Sequence, residues 1–579
     1  MTAKKNRAAP DRYDKASVRA LLAVLAAGTL SGLWGIGWGL PGPRRLRAFP
    51  ESVAADPATA QKLADGWARL YAGIRRSHDE RQKEEPVTYL QGFLDIPPGW
   101  TWPPDPLVNS LRSFLLQSVS PDEKKSFIIL SQMRPWKLDF KPLYIQYGGA
   151  FIYPLGAYLK ALSWTGAVTL VPDMRHYLAH PEDMGRLYLA GRILILLVHL
   201  GTLALLFDLG RRLSGWPTGL AAALVFALCP LAVLATHIIK PHSYAAFFAL
   251  LAIRWMLLAE PGRRREYVLC GAAAGLAAGA NLTLAPLLGL PVLAALLGPR
   301  KDAAAARSAA WGVGAGLIVC LGLNPYLLFS YKDFAWETQV YAPPVFSAGL
   351  GRFRAMAATT AGGLGPLLAA LAFAGALSAP FRKGRRALAL VFWGPTALLW
   401  LRFSVFAEDP GSLRLYYSFA ALACLLGVDL LASAPRAVRL AALAFVLVDT
   451  APRGAVYLEN MRLDSGPRST RAQAADWIEA SVPAGSTIGL VRFPDPFSTP
   501  PFRYDRYRLA LFQSPEAIPP GRAPQYIVVN DPGRALVDNW AKKDYDEVAQ
   551  FVPLRAGWAA VTDRTSFVNG GMFVYRRKS

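Results

Sequence analysis

The apolar residues of this chain fall into long runs that are separated by short polar segments. The first run covers residues 16–40, and a series of short-looped runs begins near Leu189. Several runs have about 18 residues with almost no charge, which is close to the length that a helix needs to cross a hydrocarbon core about 30 Å thick. The pattern predicts a polytopic α-helical membrane protein. Its most unusual feature is the gap between the first two runs, a mixed stretch at 41–187.

We predict eleven membrane spans from these runs. They divide the chain into a basic tail at 1–16, a transmembrane domain at 17–453 and a C-terminal domain at 467–579. A loop as long as 41–187 directly after the first helix is unusual for a simple channel or transporter, and it suits an enzyme that acts on a lipid-borne substrate at the membrane face. The predicted spans are residues 17–39, 188–208, 217–236, 243–259, 267–281, 283–298, 308–324, 357–378, 387–404, 414–433 and 437–451.

Charge distribution predicts the orientation of these spans. Only 18% of the residues are charged, against about 25% in ordinary soluble proteins, and the net charge is +23. Lysines and arginines cluster in alternate loops, as the positive-inside rule requires, so the charge does not indicate nucleic-acid binding. The N-terminus is therefore predicted on the cytoplasmic side of the cytoplasmic (inner) membrane, and the C-terminus outside. Residues 147–170 are also apolar, but a crossing there would invert every later basic cluster, so we predict an interfacial helix.

The four cysteines lie inside predicted spans and show no C-x-x-C spacing. They indicate small packing residues rather than a disulfide or zinc framework. No P-loop, dinucleotide fingerprint or zinc-protease motif is present, so we predict no cofactor; a divalent metal stays open, but these residues do not support one.

The chain changes character after Ser469. Residues 471–480 have the pattern of an amphipathic helix, and 487–491, 526–529 and 573–575 have the composition of strands. The sequence therefore predicts a small extracytoplasmic α/β domain at its C-terminal end.

The long loop opens with an acid beside several arginines. Glu51 follows Arg44, Arg45 and Arg47, just beyond the end of the first predicted span. A carboxylate held there could accept the proton of an attacking hydroxyl as a general base. The alternative is a solvated loop acid that only offsets the arginines.

A second cluster, at 136–149, joins a carboxylate, cations and aromatic rings at the start of the predicted interfacial helix. Asp139 is a second candidate base, and Lys141 could bind a lipid phosphate. Tyr144 and Tyr147 could line a sugar or lipid groove. The alternative is ordinary anchoring of aromatic side chains at the membrane interface.

A third cluster is the short outer loop at 236–243. His237, Lys240 and His242 could contact an anion, and the histidine spacing of five does not suit the i, i+4 pair that binds a metal on one helix face. Arg192 lies slightly inside the second span, where an unpaired cation is expensive, so we expect it to face protein or phosphate. A purely structural role is the alternative for this cluster.

Four stretches, taken in order, resemble the multi-span GT-C glycosyltransferases, in particular the protein O-mannosyltransferase and aminoarabinose-transferase-like group, glycosyltransferase family 39. Phe49-Pro50-Glu51 occupies the position of the acidic motif after the first span. Lys141-Pro142-Leu143 and the aromatic helix after it are similar to the Lys/His-Pro segment of the family. Residues 185–223 resemble its Arg-led second span, the turn after it and its third span, and residues 230–248 continue this likeness around the next outer loop. Residues 470–486 resemble the start of its outer C-terminal domain.

The chain departs from the family pattern at two positions. The usual acidic pair is reduced to Pro50-Glu51, and the Pro-Asp that often ends the loop after the third span reads Pro241-His242. Each departure removes a carboxylate, which weakens a metal-dependent mechanism.

The resemblance implies an inverting enzyme that moves a sugar from a polyprenyl-phosphate donor to a hydroxyl acceptor on the outer membrane face. The partners are then the lipid-linked sugar, membrane lipids and an acceptor that is a protein, a lipid or a glycan. The alternatives are a flippase or transporter of lipid-linked glycans, and a catalytically inactive assembly protein. Under the transferase hypothesis the base is Glu51, with Asp139 in reserve; the phosphate site is Lys141, Arg192, Lys240 and His242; and the substrate groove is Tyr144, Tyr147 and His237.

Overall fold

The helices of the protein follow the apolar runs of the sequence. The computed structural model describes the chain apart from residues 1–12, 52, 54–56, 82–89, 91, 146, 261–262, 299–300, 342–349, 406–416, 563–566 and 579. Most of the predicted basic tail and the first residues of the predicted span 414–433 therefore lie outside the described residues.

The described α-helices are numbered here in chain order. In the first half they are α1 (Lys15–Leu33), α2 (Pro57–Asp79), α3 (Asp105–Leu116), α4 (Glu123–Gln132), α5 (Gly149–Trp164), α6 (Met174–Ala179), α7 (Pro181–Ser214), α8 (Trp216–Leu228), α9 (Pro230–Thr236), α10 (Pro241–Leu258) and α11 (Arg264–Ala280). In the second half they are α12 (Leu290–Leu297), α13 (Ala303–Leu323), α14 (Tyr326–Phe329), α15 (Tyr331–Tyr341), α16 (Leu350–Leu364), α17 (Pro366–Ser378), α18 (Arg386–Val405), α19 (Tyr417–Leu431), α20 (Arg436–Asp464), α21 (Thr470–Ser481) and α22 (Asp531–Asp544).

Only some of these helices are long enough and apolar enough to span a membrane. Five described helices are long and apolar enough to cross a membrane, and two bent helix pairs would raise the number to seven. The structure thus agrees with a polytopic α-helical membrane protein, whereas the number of eleven spans stays a prediction. The five helices are α1, α7, α10, α13 and α20, and the bent pairs are Trp216–Leu228 with Pro230–Thr236 and Arg354–Leu364 with Pro366–Phe381.

Small residues allow two of the central helices to pack at backbone contact. A Cβ atom on Gly271 of α11 would overlap the carbonyl of Gly312 on α13, and Gly275 stands in the same relation to Gly316. Small residues at this spacing let helices approach closely where lipid offers no hydrophobic drive to association. Helices α11 and α13 are therefore packed against each other at the level of their backbones.

The predicted interfacial segment at 147–170 contains α5. Its first turn is buried in the bundle, because the Gly149 amide donates to Asn324 Oδ1 at 2.7 Å and Phe151 is fully buried. Its last turn is open, with Trp164 exposed. One end is thus fixed on the bundle, and the position of α5 relative to the membrane surface stays a prediction.

Buried charges in the bundle are paired. Asp208 in α7 accepts hydrogen bonds from Arg211, Arg212 and Arg254, each at 2.9 Å. Asp429 in α19 is fully buried and forms ion pairs with two arginines that lie between α17 and α18. These clusters fix the positions of helix ends that the charge distribution predicts at the cytoplasmic face.

The C-terminal domain is built on a mixed sheet of six strands. Its order is β1-β3-β2-β4-β6-β5, with β2 parallel to β3 and to β4 and the other pairs antiparallel. The predicted helix at 471–480 and the three predicted strands are confirmed as α21, β2, β4 and β6. The strands are β1 (Phe93–Ile96), β2 (Thr487–Leu490), β3 (Arg508–Phe512), β4 (Tyr526–Asn530), β5 (Tyr545–Phe551) and β6 (Met572–Arg577).

Strand β1 corrects the predicted domain division. It comes from the long first loop, yet it pairs antiparallel with β3 in the register Phe93 to Phe512 and Ile96 to Leu509. The loop therefore contributes the edge strand of the C-terminal sheet, so that residues 93–96 and the strands between 487 and 577 belong to one structural unit. A four-residue strand whose partner lies more than 400 positions away has no local signal in the sequence.

Truncation of the β1 edge tests this unit. Ile96 is 4% exposed, and Ile96→Ala should lower the local stability of the edge by about 2–4 kcal/mol because it leaves a cavity under the strand. Hydrogen exchange in the full chain should then show faster exchange of residues 508–512. Leu138→Ala, at an exposed loop position, is the control and should leave exchange there unchanged. Unaltered exchange in the Ile96 variant would contradict the joint sheet.

Candidate functional site

The start of the long loop is held rigidly against the C-terminal domain. A 3-10 turn at Pro43–Ala48 leads into Phe49, which is 1% exposed. The Phe49 ring meets Phe114 and Tyr504 edge to face, with ring centroids 5.8 and 5.6 Å apart. Such aromatic contacts add to the free energy of apolar burial and fix the orientation of the ring. The backbone at Phe49, two residues before Glu51, therefore has a defined position.

Arg47 ties the same turn to two elements of the C-terminal domain. Its guanidinium donates to Asp476 Oδ1 at 2.6 Å, to the Ala472 carbonyl at 3.1 Å and to the Pro501 carbonyl at 3.0 Å. A guanidinium can make several hydrogen bonds in fixed directions, which suits it to join chain segments. The loop and the C-terminal domain are therefore joined at Arg47, four residues before Glu51.

Glu51 lies exposed beyond this anchored turn. The charge of Glu51 acts on Arg503, whose pKa is raised first by its hydrogen bond to Asp505 and further by the charges of Glu479 and Glu51. A carboxylate that is open to solvent but carried on a rigid backbone can meet an incoming hydroxyl and accept its proton. The structure therefore leaves Glu51 available for the predicted role.

Asp139 and Lys141 lie in a second exposed loop. The Arg134 amide donates to the Asp139 carbonyl at 2.8 Å, which closes a tight turn, and the Lys141 amide donates to Asp139 Oδ1 at 3.2 Å. Lys141 Nζ forms an ion pair with Asp333 of α15 at 3.1 Å, while its side chain stays 45% exposed. Because an ammonium has three N–H donors, Lys141 can bind a further anion without leaving Asp333.

The two predicted groove tyrosines differ in accessibility. Tyr144 is half-buried and meets the His78 ring edge to face at 5.9 Å. His78 in turn contacts Glu337 of α15 at 3.2 Å, and Glu337 also accepts the Ile145 amide at 2.9 Å. Tyr147 is only 7% exposed, so it packs inside the fold. Of the pair, only Tyr144 is placed to line an open groove.

Arg192 has a buried carboxylate partner that the sequence reasoning missed. Glu123, at the start of α4, takes a bidentate ion pair from Arg192, with Nε to Oε1 at 2.9 Å and NH2 to Oε2 at 2.7 Å. The same guanidinium donates to the Ile36 and Trp38 carbonyls at 2.8 and 2.7 Å, and both side chains of the ion pair are 0% exposed. The placement of Arg192 among the phosphate ligands is therefore corrected, because four of its five N–H groups are occupied by protein.

The neighbouring Lys240 is also paired with an acid. Its Nζ forms a short ion pair with Asp122, and the Ile239 amide donates to Glu123 Oε1 at 3.0 Å. Ser118 Oγ donates to the other Glu123 oxygen at 2.6 Å. Asp122 and Glu123 thus bind the 236–243 loop to the start of α4. Since Lys240 is only 6% exposed, the structure gives it this structural contact rather than an open anion site.

The two histidines of that loop have different surroundings. His237 is fully buried, with Nδ1 at 2.7 Å from the Val233 carbonyl and Nε2 at 3.0 Å from the Trp34 carbonyl. It holds the end of α9 against the end of α1 and therefore does not line a groove, which corrects the prediction. His242 is half-buried in the first turn of α10. No group of three His, Cys, Asp or Glu side chains that could hold a metal is found within the part of the chain that the structure describes.

The predicted site residues thus separate into an exposed set and a buried frame. Glu51, Asp139 and Lys141 are exposed, and Tyr144 lies half-buried. The buried frame consists of Arg192, Lys240, His237 and Tyr147, to which the structure adds the buried Glu123 and the partly exposed Asp122. The sequence did contain a signal for these partners. A cation inside a predicted span requires an acid, and Asp122 and Glu123 are adjacent acids in the preceding loop.

Comparison with known proteins supports the family resemblance over one segment. Residues 184–328 match the family described as dolichyl-phosphate-mannose-protein mannosyltransferase. This confirms the predicted resemblance from α7 to α14, about a quarter of the chain, and this segment contains Arg192, Lys240 and His242. Glu51 and Lys141 lie outside it. No curated protein matches the sequence.

Several solved structures of membrane glycosyltransferases are similar to this chain at low identity. ArnT from Cupriavidus metallidurans bound to undecaprenyl phosphate has a TM-score of 0.43 and 16% identity, covering 79% of this chain and 93% of that one. The oligosaccharyltransferase of Archaeoglobus fulgidus has a TM-score of 0.36 and 13% identity, covering 59% and 51%. The arabinofuranosyltransferase AftD from Mycobacteria has a TM-score of 0.35 and 16% identity, covering 85% and 41%.

Proposed function

We propose that this protein is a membrane glycosyltransferase that moves a sugar from a polyprenyl-phosphate donor to a hydroxyl acceptor at the outer face of the cytoplasmic membrane. The match of residues 184–328 to a family named for a dolichyl-phosphate sugar donor supports the donor class. The observation that carries the proposal is the exposed Glu51 on a backbone fixed by Phe49 and Arg47. A general base in a fixed loop beside a multi-span domain suits a reaction whose acceptor approaches from the aqueous side and whose lipid-linked sugar donor approaches from the membrane.

The proposed reaction is a single displacement with inversion. Glu51 accepts the acceptor O–H proton while the acceptor oxygen forms a bond to the anomeric carbon. The bond from that carbon to the phosphate oxygen breaks, and the electron pair leaves with the polyprenyl phosphate. Lys141 stabilises the negative charge that develops on this phosphate, which is where preorganised cations have the greatest effect. Asp139 is the reserve base, and Tyr144 lines the sugar or lipid groove.

Arg192, Lys240 and their acids have a different part in this proposal. The Glu123–Arg192 and Asp122–Lys240 ion pairs fix α7 and the start of α10 to the start of α4. We therefore assign them to the frame beneath the reacting groups rather than to the phosphate itself. His242, which is half-buried beside this frame, stays a proposed phosphate contact.

Product analysis tests the transferase function. The full chain, purified in detergent, would be incubated with labelled polyprenyl-phosphate hexoses and pentoses and with candidate acceptors. Release of polyprenyl phosphate that requires both protein and acceptor is the expected result. Movement of label between leaflets of proteoliposomes without release would indicate the flippase instead, and neither outcome would indicate an assembly protein.

Lys141→Gln should raise the KM for the lipid-linked donor by about tenfold or more, because a charge-assisted phosphate contact is lost. Steady-state kinetics with varied donor would measure this change. Lys137→Gln removes the same charge four residues earlier in the same exposed loop and is expected to leave the KM within about twofold. Equal kinetics of the two variants would remove Lys141 from the proposed phosphate site.

A further inference from the structure

The segment that follows β5 is hydrogen-bonded to the C-terminal end of a candidate membrane span. The Asn460 side chain accepts the Leu554 amide at 2.8 Å and donates to the Leu554 carbonyl at 3.0 Å. One turn earlier on α20, the Tyr457 hydroxyl accepts the Thr562 amide at 2.8 Å. Asn460 and Tyr457 are fully buried, and α20 is long and apolar enough to cross a membrane. The segment therefore has a fixed position relative to this span.

This segment contains a short turn with an apolar surface, called here the Trp558 turn (residues 552–559). Ala556 and Ala559 exchange two backbone hydrogen bonds of 2.9 Å, which close the turn. Arg555 is exposed and forms no ion pair within the described residues. Three large apolar side chains of the turn are exposed, namely Val552 (46%), Leu554 (41%) and Trp558 (59%). Exposed apolar groups beside a free cation are typical of a surface that meets a membrane or a partner.

The end of α1 indicates where the membrane boundary lies. Gly35 follows this candidate span and packs on α20, since a Cβ atom there would lie 2.9 Å from Met461 Cβ and 3.2 Å from the Leu458 carbonyl oxygen. Asn460 lies between these two positions. Trp34, beside Gly35, is 53% exposed, and tryptophan is enriched where a span passes from hydrocarbon to headgroups. The Trp558 turn is therefore held close to the level at which α1 ends.

Strand β5 leads the chain toward this level. The strand has 7 residues, Tyr545–Phe551. A strand of this length extends over about 20 Å. The Trp558 turn begins directly after its last residue, whereas the exposed Asp544 precedes its first. One end of β5 therefore lies close to the end of α1, and the other lies a full strand length away.

We propose that the Trp558 turn docks the C-terminal domain on the outer leaflet by inserting among the headgroups of phospholipids. Trp558 and Leu554 contact the glycerol and upper acyl groups, because an indole joins an apolar body to a polar N–H and suits this depth. Arg555 binds a lipid phosphate, whose geometry a guanidinium matches. Lipid is favoured over a partner protein because the hydrogen bonds to α20 hold the turn at the end of a span. The proposal depends on the orientation of α20 and not on sugar transfer.

Docking of this domain also sets the position of the long loop. Arg47 donates to Asp476 and to the Ala472 carbonyl of α21, and β1 belongs to the same sheet as β5. A C-terminal domain held on the leaflet therefore keeps the start of the long loop at a constant distance from the lipid surface.

The depth of the turn in a bilayer tests the proposal. A nitroxide attached through Ala556→Cys would be measured in the full chain, in nanodiscs of phosphatidylcholine and phosphatidylglycerol in equal parts. Power-saturation EPR gives its accessibility to oxygen, which concentrates in the bilayer, and to nickel-EDDA, which stays in water. We expect an oxygen-to-nickel ratio several-fold higher than for the matched control Asp544→Cys at the far end of β5. The four native cysteines are buried, so the label reaches the introduced thiol.

Two substitutions, each measured with the Ala556→Cys label, assign the contacts. Trp558→Ser should lower the oxygen-to-nickel ratio by about twofold or more, because the indole no longer holds the turn at the interface. Leu536→Ser, at an exposed leucine of α22, is the control and should leave the ratio unchanged. Arg555→Glu should lower the ratio more in these nanodiscs than in nanodiscs of phosphatidylcholine alone, because the negative surface potential repels the carboxylate.

Equal ratios at Ala556→Cys and Asp544→Cys would overturn the proposal, because the turn would then lie in water. Low accessibility to both reagents would also overturn it and would indicate that a second copy of the chain or a partner protein covers the turn. If the Ala556→Cys protein fails to fold by thermal unfolding, Val552→Cys gives the same measurement at the start of the turn. No sugar donor is present, so this result is independent of the transferase assay.

Discussion

Glu51→Gln is expected to lower the rate of sugar transfer by about 100-fold or more, because a glutamine amide cannot accept the acceptor proton. The side chain is exposed, so the substitution should leave the free energy of unfolding within about 0.5 kcal/mol of the parent. The KM for the donor should change little, since Glu51 acts on the acceptor. Kinetics with varied donor, together with thermal unfolding of the same preparation, would measure all three quantities.

Two further variants serve as the comparison and the control for Glu51→Gln. Asp139→Asn removes the second exposed acid of the loop, and its activity should exceed that of Glu51→Gln by at least about tenfold if Glu51 is the base. Glu516→Gln removes an exposed acid from the C-terminal domain and should behave as the parent. Full transferase activity in a folded, correctly inserted Glu51→Gln protein would remove Glu51 from the mechanism and leave Asp139 as the candidate.

Local patterns in the sequence predicted the elements that depend on local physics. Apolar runs marked the helices, and the change of composition after Ser469 marked the α/β domain, with its helix and three of its strands found where they were predicted. Strand β1 could not be found this way. Its four residues acquire their structure from β3, through a pairing that connects distant parts of the chain.

In the candidate site, too, local features could be predicted from the sequence, whereas contacts between distant parts of the chain could not. The sequence correctly indicated that Arg192 needs a protein or phosphate partner, since its depth in a predicted span is readable from hydropathy. Which partner it has depends on how the long loop folds back, and this brings Glu123 from a position 69 residues earlier. The exposure of Glu51 and the burial of Tyr147 also could not be predicted from the sequence, because both depend on packing with segments that are distant in the chain.

The Glu123–Arg192 ion pair provides the second large expected effect. Glu123→Ala leaves the Arg192 guanidinium buried without its carboxylate, and breaking a buried pair in this way costs about 3–5 kcal/mol. The amide of Ile239 and the hydroxyl of Ser118 would also lose their acceptor. We therefore expect a large drop in the unfolding temperature of the full chain in detergent. Glu182→Ala, at a half-exposed acid in the first turn of α7, is the control and should change the temperature little.

Arg192→Lys separates this structural role from direct phosphate binding. Lysine keeps the positive charge but cannot reproduce the bidentate contact with Glu123 or the bonds to the Ile36 and Trp38 carbonyls. The expected result is a lower unfolding temperature with an unchanged donor KM in the protein that remains folded. A raised donor KM at unchanged stability would instead return Arg192 to the phosphate site. It would then follow that the Glu123 contact opens when the donor binds, because only an exchange of partners could bring a fully buried guanidinium to the lipid phosphate.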